Sequence, residues 1–285
     1  MPTIDIPAGT IEYRVTGPDD ATTPPVVFVH GFLVNGELWS GVADRLGAQG
    51  VRCYQPNLPL GSHTIPLAAD ADRTPRGVAQ MIIAFVERLG LEDVTLVGND
   101  TGGALCQFVL DTDPSRVGRV VLTNCDAYDQ FPPSPFDKLF LPFRSAAAIK
   151  ALLEPMRSVR MRRSPLGFGL LVTSELDADL SRRWVDPCLS DAAIRRDAAA
   201  FVRGIDTAEL EGVSSRLGAF DGPALLVWGL ADKVFKPELG HRLRDTFRDA
   251  TWVEVPEAST FVAIDAPERL ATEIARAFYP ALAAA

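Results

Sequence analysis

The sequence predicts an α/β protein built on a mostly parallel central sheet flanked by helices. Three observations carry this expectation. Short, continuous apolar runs recur along the chain, of the kind found in strands buried on both faces. Segments with helical periodicity lie between them, so strand and helix alternate as right-handed βαβ units require. The alternation breaks once, between about residues 131 and 218, where Pro-punctuated and helical material carries no strong strand signal.

The elements follow in order. Thr3–Ile6 and Thr10–Thr16 flank Ala8-Gly9 and read as an N-terminal β-hairpin. Pro24-Pro25 introduces the buried run Val26–His30. Comparable runs recur at Val51–Tyr54, Val94–Val97, Val117–Thr123, Ala224–Trp228 and Thr251–Val255. Helical spacing of apolar residues marks Glu37–Leu46, Pro75–Leu89, Ala104–Leu110, Glu238–Phe247 and Pro267–Phe278. The last of these opens with Asp265 as expected cap, Pro267 in the first turn and Glu268 completing a capping box. The expected division is a core of residues 1–130 and 219–285, interrupted by a helical insertion over 131–218. Aromatic residues of that insertion (Phe131, Phe136, Phe140, Phe143, Phe168 and Trp184) are expected mostly to pack, with some roofing a cavity. The basic run Arg157–Arg163 is expected to face solvent.

Composition narrows the function. The 285 residues are 47% hydrophobic and 23% charged, enough apolar material for a sizeable core and far from a disordered composition. A net charge of −9 and a pI near 4.9 point away from nucleic acid and anionic membrane as partners. The expected partner is a small-molecule substrate, with a homodimer left open. No cofactor and no metal are expected: Cys53, Cys106, Cys125 and Cys188 are scattered and show no zinc spacing. The N-terminus lacks a basic segment followed by an apolar run, so no secretory signal is read there. With no apolar stretch long enough to span a bilayer, a cytoplasmic chain is expected.

The most informative stretch is Val94-Thr-Leu-Val-Gly-Asn-Asp-Thr-Gly-Gly-Ala104. A buried strand runs through Gly98-Asn99-Asp100-Thr101-Gly102 straight into a helix. A sharp turn of this kind exposes its central side chain, and small residues two positions either side let the backbones pass. Asp100 would sit at the helix N-terminus, where orphan N–H groups favour an anion. An ordinary N-cap aspartate is the plainer alternative. It leaves the paired glycines without a cause. The Asp-Thr-Gly triplet also occurs in aspartic proteases, but here it opens a helix and occurs once.

With these residues the chain resembles the α/β-hydrolase fold, in the branch with an aspartate nucleophile, and is similar to haloalkane dehalogenases and soluble epoxide hydrolases. His30-Gly31-Phe32, Trp39 and the Asn57-Leu-Pro-Leu-Gly61 loop share in the resemblance, which covers nearly the whole chain outside the insertion. It implies an α/β-hydrolase core with an inserted helical cap and a hydrolase acting on a small, largely apolar substrate. It implies Asp100 as nucleophile, with the backbone N–H groups of Phe32 and Thr101 as oxyanion hole. Asp232 in Leu230-Ala-Asp232-Lys-Val-Phe235 matches the acid position, and Asp126 is the alternative acid. Relatives place the general-base histidine immediately before Phe261, where this chain has Thr260.

Threonine accepts no proton near neutral pH, so the implied hydrolysis lacks its base. His63, on the loop Pro59-Leu-Gly-Ser-His63-Thr-Ile-Pro66, is the best substitute among three histidines, with a solvent-exposed loop histidine as the plainer and favoured expectation. A catalytically silent ligand-binding protein and a non-hydrolytic acid–base enzyme are the alternatives. Two further departures weaken the specific activities. Dehalogenases commonly carry tryptophan after the nucleophile, where Thr101 stands here, and 131–218 contains no tyrosine of the kind epoxide hydrolases use.

Overall fold

The computed structural model describes residues 1–133, 138 and 141–280. Eight strands form one sheet: β1 (Thr3–Ile6), β2 (Gly9–Thr16), β3 (Val26–Val29), β4 (Cys53–Pro56), β5 (Val94–Asp100), β6 (Val117–Cys125), β7 (Ala224–Gly229) and β8 (Ala250–Val255). Their spatial order is β1-β2-β4-β3-β5-β6-β7-β8. The N-terminal hairpin joins antiparallel through β2 to β4, and every later pairing is parallel. The central strands have no exposed face: Val26–Val29, Leu96, Val97 and Val120–Leu122 lie in the core. β-Branched and leucine side chains fill both sides of the pleat there, each contributing ~1.5–3 kcal/mol by leaving water.

Helices α1 (Ser40–Ala48), α2 (Pro75–Arg88) and α3 (Thr101–Thr112) connect the parallel strands in the first half. The expected helix from Glu37 is in fact a 3₁₀ turn, Gly36–Trp39, leading into α1, because the Asn35 side chain accepts the Glu37 N–H and tightens the entry. The strand expected at Val51–Tyr54 is β4, two residues later. Val51 N–H still closes the end of α1 on the Leu46 carbonyl, so pairing begins only at Cys53.

Between β6 and β7 the described residues form helices: α4 (Ala146–Leu153), α5 (Val159–Arg162), α6 (Ala178–Ser190), α7 (Ala192–Arg203) and α8 (Thr207–Ser215), with short 3₁₀ turns. The longer ones begin where a short polar side chain takes an orphan N–H. Asp177 accepts from Leu180 (2.7 Å), Asp191 from Ala193 (2.7 Å) and Asp206 from Ala208 (3.0 Å). Of the aromatic residues named for this segment, Phe131, Phe168 and Trp184 are buried, Phe143 is half-buried, and Phe136 and Phe140 lie outside the described residues. Arg162 corrects the expectation of a solvated basic run. Its guanidinium is buried, donating to Ser181 Oγ and to the carbonyls of Met156, Arg157 and Ala178, while its neighbours Arg157, Arg160 and Arg163 are exposed.

The chain returns through β7, α9 (Pro237–Thr246), β8, the short α10 (Val262–Asp265) and α11 (Pro267–Phe278). Asp265 does not cap α11, whose N-cap is Ala266 with no side-chain bond. Its carboxylate instead accepts the N–H groups of Thr173, Ser174 and Ser259 at 2.9–3.0 Å. A tertiary tie between the insertion and the loop after β8 has displaced the local cap. No helix among the described residues is long and apolar enough to cross a membrane.

Candidate active site

β5 ends on Asp100 and α3 begins at the next residue, so strand turns into helix within one peptide unit. Asp100 adopts φ 54° and ψ −134°, a conformation that L residues rarely take and that is held only where surroundings fix it. The surroundings are backbones brought very close. A Cβ on Gly102 would collide with the Val29 carbonyl oxygen, one on Gly98 would lie 2.6 Å from Cys106 Sγ, and one on Gly31 would overlap the Asp100 carboxylate itself. Although Asp100 stands at the N-cap position, its side chain makes no capping bond. The carboxylate accepts the backbone N–H groups of Thr101 and Phe32, one from α3 and one from the loop after β3.

Two more carboxylates share this end of the sheet. Asp126 follows Cys125, the residue in register with Asp100 on β6. It is buried, its Oδ2 accepts the Thr101 hydroxyl at 3.2 Å, and its Oδ1 has no hydrogen-bond partner. Asp232, on the loop after β7, is also buried. Its Oδ1 accepts the Val234 N–H at 2.7 Å and its Oδ2 accepts Asn124 Nδ2 at 2.8 Å. Burial pushes the Asp100 carboxyl up to about 7; the N–H of Thr101 opposes this, the charge of Asp232 adds to it and the N–H of Phe32 opposes it again. Burial also raises Asp126, well above the carboxylate range, with the charge of Asp100 adding to it. Asp232 is raised by burial, partly offset by the Val234 N–H, Thr260 and Asn124.

Thr260 is fully buried next to Asp232. Its hydroxyl favours the charged form of that carboxylate but reaches no regular hydrogen-bond geometry. The loop around it is held on both sides. The Thr260 carbonyl accepts Asn99 Nδ2 at 2.7 Å, the Ser259 N–H goes to Asp265, and the Phe261 N–H goes to the Leu171 carbonyl of the insertion at 2.9 Å.

None of the three histidines is paired with Asp100. His30 is buried, with Nδ1 on the Gly31 carbonyl (2.9 Å) and Nε2 accepting the Leu58 N–H (2.8 Å). Burial lowers it to about 4, so it is a neutral post joining two loops. His63 is buried too, and both ring nitrogens are engaged. Nε2 lies 3.4 Å from Asp197 Oδ2 on α7, and Nδ1 accepts the Gly61 N–H at 3.4 Å. The expectation of a solvated loop histidine therefore fails, and Asp100 is not among the partners of this ring either. Asp197 is the hub of a buried cluster that also takes Leu67 N–H (2.9 Å), Arg73 Nε (2.7 Å) and Arg196. Burial would raise the Asp197 carboxyl, but these donors outweigh it and hold it down at about 2. His241, on α9, packs on Trp252 of β8, with ring centres 4.3 Å apart.

Several positioning residues carried no motif. Asn124 bridges β6 to β7 by accepting the Gly229 N–H and donating to the Gly229 carbonyl while it orients Asp232. Asn99 ties β5 to Thr123, Asn124 and Thr260. The signal available for both was a polar residue at the C-terminal end of an apolar strand, where sites of open α/β sheets assemble. The insertion reaches the same edge. Phe32 meets the rings of Phe143 and Phe201, and Trp184 donates its indole N–H to Asn35 Oδ1 at 3.1 Å. Beside Asp232 a cavity of about 660 Å³ opens between the insertion and the loop after β7, with Phe131, Arg144, Val202, Lys233 and Lys236 among its walls.

Comparison with known proteins agrees with this architecture. Haloalkane dehalogenase 2 of Mycobacterium tuberculosis is 29% identical over 278 residues, covering 93% of this chain and 91% of that protein. A 2-hydroxy-6-oxononadienedioate/2-hydroxy-6-oxononatrienedioate hydrolase of Dechloromonas aromatica is 25% identical over 226 residues, 76% of this chain and 74% of that protein. Among solved structures, the haloalkane dehalogenase DbeA from Bradyrhizobium elkani superposes with a TM-score of 0.80 at 20% identity, covering 99% of this chain and 98% of that one. A thermophilic esterase from Thermogutta terrifontis superposes with a TM-score of 0.72 at 22% identity over 99% of both chains. The model of the alpha/beta hydrolase fold family matches residues 24–267, so the chain belongs to that family.

Proposed function

We propose that this chain is a hydrolase-type enzyme whose nucleophile is Asp100, acting on a small, largely apolar electrophile of the haloalkane or epoxide kind. The observation that carries the reading is the Asp100 turn itself: a strained backbone presents a carboxylate that accepts the N–H groups of Thr101 and Phe32. In this reading one Asp100 oxygen attacks an sp³ carbon; the electron pair of the broken bond goes to the halogen, which departs as halide, or to the epoxide oxygen, which stays on the product as an alkoxide and takes a proton from water. The ester carbonyl oxygen stays on the N–H groups of Phe32 and Thr101, which also stabilise the oxyanion formed when water attacks. Residues 131–218 act as the cap and residues 1–130 with 219–285 as the core. The names of the dehalogenase relatives support this chemistry, while Thr101 and Thr260 stand where it would need tryptophan and histidine.

Hydrolysis of the ester requires a base for the incoming water. Thr260 cannot serve, and the rings of His30, His63 and His241 are occupied elsewhere. Alkylation of Asp100 therefore outruns release. Intact-protein mass spectrometry after incubation with 1-bromohexane or an epoxyhexane tests this, with Asp100→Asn as control. A stable adduct of one alkyl group, absent from the control, is expected. No adduct and no product would leave a silent binder. A second reading, proton transfer with Asp100 as base, draws on the same burial that lifts its carboxyl to about 7, near neutral pH.

A further inference from the structure

The cavity beside Asp232 carries more charge than a site for an apolar substrate needs. Its volume of about 660 Å³ lies within the range of small-molecule sites. Phe131, Val202, Ile205 and Val234 give it apolar walls, and three cations reach it from two segments, Arg144 from the insertion and Lys233 with Lys236 from the loop after β7. Arg144 ends the 3₁₀ turn before α4, Lys233 follows Asp232, and Lys236 precedes α9. None of the three has an ion-pair partner among the described residues, and all three are exposed. Asp129, the acid among the described lining residues, faces Arg242 at 3.7 Å, and that guanidinium also lies over the Tyr128 ring. In a chain of net charge −9 this is a local excess of positive charge around an apolar hollow.

We propose that this cavity binds the anionic end of an amphipathic ligand, a carboxylate or phosphate on an alkyl-sized body. Lysine ammonium groups are compact point charges with no fixed fork, so they select by charge rather than by the shape of the anion. The cavity is placed to serve the reaction as well: Val234 in its wall donates its N–H to Asp232 Oδ1. In the proposed reaction a substrate anchored there extends its apolar body past Val234 to bring its electrophilic carbon to Asp100. That last step rests on the function proposed above; the binding does not.

Calorimetry with octanoate, octyl phosphate and octanol separates the two. Both anions are expected to bind, with affinity falling as NaCl is raised, and octanol about tenfold or more weaker, as expected for two or three exposed charge contacts. The exposed pair Lys233→Ala/Lys236→Ala is expected to reduce octanoate affinity about tenfold with an unchanged melting temperature, and to leave octanol unaffected. Stronger binding of octyl phosphate assigns the site to phosphate, the reverse to carboxylate. Equal binding of octanol and both anions, no binding at all, or indifference to the double substitution overturns the proposal. In a second arm, 8-bromooctanoate should alkylate the protein faster than 1-bromooctane. Octanoate binding without an adduct from either bromide removes Asp100 as nucleophile and leaves the anion site standing.

Discussion

The Thr260 hydroxyl lies buried against the Asp232 carboxylate, and the Thr260 carbonyl is pinned by Asn99 from the turn that presents Asp100. In the proposed mechanism Asp232 is the acid that would orient a base, and the side chain beside it cannot be one. Thr260→His should put an imidazole between Asp232 and Asp100. General-base assistance contributes roughly 10²–10⁴-fold, so release of an Asp100 ester should accelerate by about that factor. The check is the decay of the adduct mass with time in wild type and variant. The larger ring must be housed in a packed site, at a cost of ~1–3 kcal/mol in unfolding free energy.

Alkylation needs the ionised form of Asp100. Its rate should climb as pH rises through about 7 and then level off, followed by adduct formation in buffers from pH 5 to 9. Burial is the main cause of the raised value and the charge of Asp232 a further one. Asp232→Asn should therefore move the midpoint downward. The same shift acts on stability. Between the ordinary aspartate pKa of 3.8 and about 7 the folded state keeps a proton that the unfolded chain has lost, so stability falls with rising pH across that window. Asp100→Asn should flatten this part of the pH–stability curve.

Gly31 is without a side chain because the Asp100 carboxylate occupies the space. Gly31→Ala should turn that carboxylate off its two N–H groups while leaving the sheet intact. Displacement of a reacting group by about 1 Å can lower a rate ~100-fold, and a loss of at least that size in alkylation is expected at unchanged circular dichroism.

His63→Ala should leave both adduct formation and adduct lifetime unchanged, because its ring nitrogens serve Asp197 and Gly61. Faster loss of activity than of stability in this variant would restore His63 as the base. Asp197→Ala is a different matter. It removes the acceptor for Arg73, His63 and the Leu67 N–H from a buried site and should cost ~3–5 kcal/mol in urea unfolding.

Much of this protein was legible in local pattern. Buried parallel strands announce themselves as apolar runs, and Gly98, Asp100 and Gly102 mark a turn whose backbones touch, since only glycine fits those contacts. The break in alternation marked the helical stretch between β6 and β7 for the same reason: period and composition are properties of neighbours in sequence. Arg162, Asp265 and Asp197 were not legible. Arg162 and Asp197 look like surface charges in their own segments and Asp265 like a helix cap, and each is claimed by partners elsewhere in the chain, Arg162 by Ser181, Asp265 by Thr173 and Asp197 by Arg73.

The sequence by itself determined the sheet, the strand-to-helix turn at Asp100 and the absence of a histidine before Phe261, because these depend on residue type and short spacing. Only the tertiary structure decided what surrounds Asp100. It set Asp126 and Asp232 at the same sheet edge, turned His63 toward Asp197, and gathered Arg144, Lys233 and Lys236 around one cavity. Parallel strands bring together chain ends separated by scores of residues, and the charge environment of a buried carboxylate is the sum over all of them. That sum is a property of the folded sheet edge and not of any stretch of sequence.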